Sequence, residues 1–309
     1  MFIKHYFNIA NPKELFIKDR LNLLKQLVKA SVTRMPFQNL TSFGAFLPCD
    51  RATPQFKEVL RSGVKGEGGL CGHLNNFMIL HLETLGFDVD RLSGCFRRTG
   101  VPMSHQLIKV RIPGHVSKEP VTNPMEKRED RTYIVDVGSG IPLHEPICIE
   151  KLPYYGRAGG LNFRYERVDE NTLQRVNENG DAIMGNKPSS FMSPQDYTID
   201  LAPRKYSEFN GPVHAIYSNP RSVFLHQGIY CFRYLNFTED DFEMVCVRGK
   251  ELILITKETR QVQSFSSYEE LKPSLYKYFP MINTNDVELT VKHFSIPFEE
   301  AIKMPSNKP

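Results

Sequence analysis

Hydrophobic positions recur along the chain with two periods, and the dominant period changes with position. Over residues 1–86 the helical period prevails. Asn11-Pro12 offers a cap followed by a proline at the first helical position. Ile17, Leu21, Leu24 and Val28 then recur at helical spacing with charges between them. A second helix is expected over 71–85, where Leu74, Phe77, Met78, His81, Leu82 and Leu85 form one stripe and Gly86 follows as a natural stop. Over 87–202 short segments rich in β-branched and aromatic residues read as strands, around Val89–Arg97, His105–Ile112 and Tyr133–Val137. The polar stretch 113–130 reads as a long surface loop, and 166–190 as an insertion or connector. Over 203–309 both periods occur. Gly228–Phe237, Phe242–Val247 and Glu251–Thr256 predict an antiparallel meander with its tight turn at Arg248-Gly249-Lys250. Ser267-Tyr268-Glu269-Glu270 predicts a capping box for a helix that Pro273 would limit or bend.

Composition narrows the partners. The 309 residues suffice for two or three modules, and 40% hydrophobic with 24% charged residues is the balance of a soluble folded protein. A formal net charge of +4, with no basic stripe, does not argue for nucleic acid. The first residues lack the apolar core of a secretory signal, and no apolar run approaches bilayer length, so no membrane partner is expected. Cysteines stand at 49, 71, 95, 148, 231 and 246 with no C-x-x-C pair. That argues against a structural zinc or other metal site and against a disulfide scaffold. It fits a cytoplasmic location, where a thiol stays free for chemistry.

Three residues carry candidate chemistry. Cys71 follows Glu67-Gly68-Gly69-Leu70 and opens the helix expected over 71–85. A cysteine there meets the positive end of the helix dipole and backbone N–H groups without intrahelical partners, which favours a thiolate and offers donors to an oxyanion. His105 heads a strand, which fixes an imidazole while leaving one edge open. Asp136 lies between Val135 and Val137, where a carboxylate needs a partner, and an imidazole N–H would serve. Each alone has a plainer reading, as a buried small residue, an incidental histidine and a turn-capping aspartate. Together they form a nucleophile, its base and the base's orienter.

The surrounding motifs resemble those of the arylamine N-acetyltransferases. G-G-L-C-G-H-L-N (68–75) is similar to that family's cysteine motif, S-H-Q-L-I-K-V (104–110) to its histidine strand, V-D-V-G-S-G (135–140) to its aspartate strand and turn, and M-P-F-Q-N-L (35–40) to its M-P-F-E-N-L segment. The resemblance implies an α+β fold: a helical N-terminal domain (1–86) carrying the nucleophile, a β-barrel middle domain (87–202) carrying histidine and aspartate, and an α/β C-terminal lid (203–309), around a core like those of cysteine proteases and transglutaminases. It implies Cys71 as nucleophile, His105 as base and Asp136 as orienter, with Phe37, Ser139 and Gly138 near the acyl or acceptor pocket. Core packing is the alternative for Phe37. It implies a ping-pong reaction of xenobiotic metabolism with no permanently bound cofactor. Acetyl-CoA or malonyl-CoA acylates the cysteine, and an arylamine or hydrazine takes the acyl group. A monomer is expected.

Two positions depart from the family pattern. The family usually pairs an Arg four residues before the cysteine with the Glu of the M-P-F-E segment; here Glu67 and Gln38 stand there, and a hydrogen bond between them is expected instead. Arg204-Lys205 and Arg221 are read as solvated rather than as coenzyme A contacts, and 219–224 resembles the family's lid region. The same triad order serves a thiol hydrolase or transglutaminase-like enzyme, and a binding protein that has lost catalysis would keep the scaffold.

Overall fold

The computed structural model describes residues 2–45, 54–96, 101–114, 130–140, 143–158, 161–177, 197–218, 228–238, 241–297 and 300. The helical opening is cut into pieces. A short α1 (Phe2–His5) is followed by α2 (Pro12–Lys18) and α3 (Arg20–Arg34). Pro12 starts α2, but Asn11 sits in left-handed backbone and its side chain makes no cap bond. Asp19 divides what the spacing presents as one helix. Its backbone leaves the helical region, and its carboxylate accepts from the Asn22 N–H at 3.0 Å to cap α3. Leu24 and Val28 on α3 are fully buried, whereas Ile17, across the break, is 81% exposed.

A two-residue β1 (Phe37–Gln38) and α4 (Leu40–Ala45) precede α5 (Phe56–Lys65) and α6 (Cys71–Leu85). The last covers the expected range. Leu74, Phe77, Met78 and Leu82 are buried, at roughly 2 kcal/mol of transfer free energy each, and Gly86 ends the helix at φ 94°.

Strands β2 (Asp88–Phe96), β3 (His105–Ile112), β4 (Arg131–Val135), β5 (Ile147–Cys148), β6 (Tyr154–Ala158), β7 (Leu161–Arg167), β8 (Thr172–Asn177) and β9 (Tyr197–Asp200) form one antiparallel sheet. Its order is β5-β4-β3-β2-β9-β8-β7-β6, and it curls into a nearly closed barrel. The stretch read as a connector from 166 is in part a β7–β8 hairpin, with Arg167 paired to Leu173. Residues 115–129 of the expected loop, 178–190 of the connector and 219–224 of the lid-like stretch lie outside the described residues.

After α7 (Asn210–Ser218) comes the expected meander, β10 (Tyr230–Phe237), β11 (Phe242–Arg248) and β12 (Glu251–Thr256), with Gly249 at φ 56° in its turn. Two strands extend it: β13 (Arg260–Ser264), and β1, which pairs with β10 as Phe37↔Phe232. Then come α8 (Tyr268–Tyr278) and α9 (Thr284–Phe294). Ser267 Oγ accepts from the Glu270 N–H at 3.2 Å, but the Glu270 carboxylate returns to the N–H of Ser266 rather than of Ser267. Pro273 lies inside α8, which continues to Tyr278.

Side-chain alternation ties these layers together. Ile108, Val110 and Ile112 of β3 join α3, α6 and the Tyr230, Phe232 and Tyr234 side of β10 in one core. Leu107 faces the barrel interior with Ile134, Tyr165, Leu173, Tyr197 and Ile199. The other face of β10, Cys231, packs with Val245 and Val247 beneath Leu271, Leu275, Val287 and Val291 of α8 and α9. Among the described residues no helix is long and apolar enough to cross a membrane.

Candidate active site

The loop into α6 needs glycine. Gly68 and Gly69 have φ of 72° and 145°, and a β-carbon on Gly68 would strike the Pro36 carbonyl. The turn sets Cys71 at the first helical residue, and Leu70 before it makes no side-chain cap bond. The N–H groups of His73 and Leu74 are taken by the Leu70 carbonyl, at 2.9 and 3.0 Å, so the helix opens toward Cys71 and Gly72.

His105 is the first residue of β3 and shares the inward parity of Leu107. Asp136 lies one residue past β4. His105 Nε2 donates to Asp136 Oδ2 at 2.8 Å, with both side chains fully buried. The same oxygen accepts from the Tyr197 hydroxyl at 2.8 Å, and Oδ1 accepts from Asn75 Nδ2 and the Gly138 N–H, each at 3.1 Å. Burial penalises the Asp136 charge, but the His105 charge and the bonds from His105, Tyr197 and Asn75 hold its pKa below the usual carboxylate value. For His105, burial works against protonation. The Asp136 charge and hydrogen bond outweigh it, Cys71 adds to them, and the imidazole is raised. With Nε2 committed to Asp136, Nδ1 is the nitrogen left for the thiol.

Cys71 and His105 open on a cavity whose walls include Phe37, Phe96, Gly138 and Ser139, with Val213 and Ile216 of α7 across from them. Phe37 is both wall and core, since it pairs through β1 with β10 and meets the Tyr230 ring edge-on at 5.7 Å. Gly138 packs on Cys71 itself: a β-carbon there would lie 2.7 Å from Cys71 Cα. All six residues singled out in the sequence therefore converge on one cavity or its immediate support.

Several supporting residues escaped sequence reasoning. Asn75 is in the cysteine motif, yet its role shows only in three dimensions: it also donates to the Gln106 carbonyl at 2.6 Å and accepts from the Val137 N–H at 3.0 Å. Asn76 donates to Gln106 Oε1 at 2.7 Å and accepts from Arg91 at 2.9 Å, tying α6 to β2 and β3. Tyr197 carries no local motif. The bond expected between Gln38 and Glu67 runs through the main chain: Gln38 Nε2 donates to the Glu67 carbonyl at 2.9 Å and to Thr41 Oγ1 at 3.0 Å. The Glu67 carboxylate lies 3.7 Å from Lys65, and burial raises its pKa against the pull of Arg61 and Lys65. Arg204 pairs with Asp200 and Glu208, while Arg221 lies outside the described residues.

A family model described as N-acetyltransferase matches residues 20–286. Human arylamine N-acetyltransferase 2 is 27% identical over 147 residues, covering 45% of this chain and 43% of the relative. The arylamine N-acetyltransferase of Mycolicibacterium smegmatis is 30% identical over 140 residues, covering 43% of this chain and 45% of the relative. The chain thus spans under half the length of the curated relatives it matches. Among solved structures, Mycobacterium marinum arylamine N-acetyltransferase in complex with CoA has a TM-score of 0.68 at 15% identity, covering 95% of this chain and 98% of that one. The Mycobacterium abscessus enzyme has a TM-score of 0.66 at 18% identity, with the same coverage. A shared fold and a family model matched over most of the length lead to one conclusion: the chain belongs to the N-acetyltransferase family, that of the arylamine N-acetyltransferases.

Proposed function

We propose that the chain is an arylamine N-acetyltransferase in which Cys71 is the nucleophile, His105 its base and Asp136 the orienter. The observation that carries this reading is a buried Asp136–His105 pair whose histidine shares one cavity with a thiol at a helix start. The Cys71 proton passes to His105 Nδ1, and Asp136 stabilises the imidazolium. The thiolate attacks the thioester carbonyl of acetyl-CoA or malonyl-CoA, with the N–H groups at the start of α6 facing the oxyanion. The C–S bond to coenzyme A breaks, and the departing thiolate takes a proton from the imidazolium. An arylamine or hydrazine nitrogen then attacks the acyl-cysteine, gives its proton to His105 and leaves acylated, restoring Cys71. The CoA complex of the Mycobacterium marinum relative supports a CoA thioester as donor. Phe37, Gly138 and Ser139 border the pocket for the acyl group or the amine. No permanently bound cofactor or metal enters the scheme. We assign 1–86 to the domain carrying the nucleophile, 87–202 to the one carrying histidine and aspartate, and 203–309 to the lid, in a monomer of the cytoplasm.

Intact-mass analysis after incubation with a panel of acyl-CoA thioesters tests this. One acyl adduct is expected, mapped to Cys71, discharged by an arylamine and absent in Cys71→Ala. A folded protein that gains no adduct refutes the reading, and discharge to water at the same rate with and without amine makes the enzyme a hydrolase.

A further inference from the structure

Tyr165 of β7, Arg175 of β8 and Tyr197 of β9 stand opposite one another in the barrel register. The rung continues to Tyr154 of β6, opposite Tyr165, and to Phe96 of β2, opposite Tyr197. Arg175 is therefore an inward position, 1% exposed, where an aliphatic residue would cost less. Its guanidinium carbon lies 4.6 Å from the Phe163 ring centroid, 5.9 Å from that of Tyr165 and 5.8 Å from that of Tyr197. Among the described residues Nε and Nη1 find no hydrogen-bond acceptor. A guanidinium keeps its charge in a protein, so a cation this deep calls for an anion.

The hydrogen bonds lead to one. Arg175 stands opposite Tyr165 in the β7–β8 register, with its guanidinium carbon 5.9 Å from that ring. Tyr165 and Tyr197 share a bond of 2.8 Å, and Tyr197 donates its only hydroxyl hydrogen to Asp136, so Tyr165 must be the donor to Tyr197. Both hydroxyl hydrogens therefore point toward the carboxylate that holds His105. Burial keeps both phenols protonated, Tyr165 up to about 12. The buried carboxylate of Asp136 carries one negative charge, which Arg175 balances.

We propose that Arg175 is a positioning residue for the acyl transfer, acting through Tyr165 and Tyr197 to hold Asp136 ionised and to lower the proton affinity of the whole triad. The proposal rests on reading Cys71, His105 and Asp136 as that triad. Among the described residues, the groups facing Arg175 are Tyr165 from β7 and Tyr197 from β9, with Asp136 and His105 beyond them. Arg164, Glu166 and Gln174 have the opposite parity and bond to one another on the other face.

The test is the pH profile of Cys71 acylation by acetyl-CoA, single turnover, in the full chain and its variants. Removing a cation makes every nearby site hold its proton more tightly. In Arg175→Met and Arg175→Gln both limbs should therefore move upward by about one pH unit, the order expected for a buried unit charge one aromatic ring away. Arg175→Lys, which keeps the charge, should leave both limbs in place even where the rate falls. A merely structural Arg175 would lower rate and melting temperature without moving the limbs, and that result overturns the proposal. Should neither neutral variant fold, Tyr165→Phe decides in their place, because it keeps the cation and removes the hydroxyl that links it to Tyr197. Upward limbs then support the proposal and unmoved limbs overturn it. Failure of the unaltered protein to acylate at Cys71 would strike the triad itself, a result distinct from acylation that ignores Arg175.

Discussion

Gly138 has no room for a side chain: a β-carbon would sit 2.7 Å from Cys71 Cα and 2.8 Å from Asn75 Nδ2. Gly138→Ala must push Cys71 outward or break the Asn75 bond to Asp136. Displacements of this size cost on the order of 100-fold in rate. The single-turnover rate of Cys71 acylation should fall by about that factor while the protein stays folded by circular dichroism. An unaltered rate would show that the cysteine is not held from this side. The sequence disclosed Cys71, His105 and Asp136 because their chemistry is local: a glycine turn before a helix, a strand head, a strand end. It disclosed neither Tyr197 nor Arg175. Both reach the site by register across β7, β8 and β9, and nothing within a few residues of either one encodes that register. Arg175 further disguised its strand, since a charge at an inward position made the β8 segment read as polar connector.

At the scale of elements, the position of Cys71 depends on how closely α5 approaches α6. Gly63 makes that approach possible: a β-carbon on it would overlap the Phe77 ring. Phe77 is buried and cannot swing into solvent. Gly63→Ala should therefore destabilise the fold by about 1–3 kcal/mol in denaturant melts, as overpacked cores do. Adding Phe77→Leu should recover part of that loss, and two purely additive effects would argue against a contact between them. Elements with one strong period were legible, above all α6 and the β10–β12 meander. The break at Asp19 was not, because a capping carboxylate three residues before Asn22 looks the same as an exposed charge on a continuous helix. Nor was β1, two residues long, whose pairing with β10 brings Phe37 into the cavity wall from the far end of the chain.

The whole molecule is joined by strands that pack a different cluster on each face, and two histidines sit at the joints. His81 of α6 stacks on Phe2 with centroids 5.2 Å apart, linking the start of the chain to the helix that Cys71 opens. His144, between β4 and β5, bonds the Tyr234 hydroxyl at 2.7 Å and stacks on Phe237 at 4.1 Å, linking the barrel to the second sheet. Burial lowers both to a pKa of about 4, and for His144 the charge of Lys29 adds to it. A depressed folded pKa means that the unfolded chain takes up protons first. The contribution of each histidine is therefore complete above the unfolded value of about 6.5 and is lost as pH falls from there through about 4. Each is worth at most about 3 kcal/mol by this linkage. The His105–Asp136 pair titrates elsewhere. The raised pKa of His105 makes its contribution full below the unfolded histidine value and lost only at alkaline pH, and the lowered pKa of Asp136 withdraws its share only below the ordinary carboxylate range. Urea melts between pH 7 and pH 4 should thus show a steep loss of stability that begins before carboxylates titrate. His81→Leu and His144→Gln should each flatten that slope. A stability curve that stays level down to pH 5 would mean that the joints between layers accept these charges in the folded state.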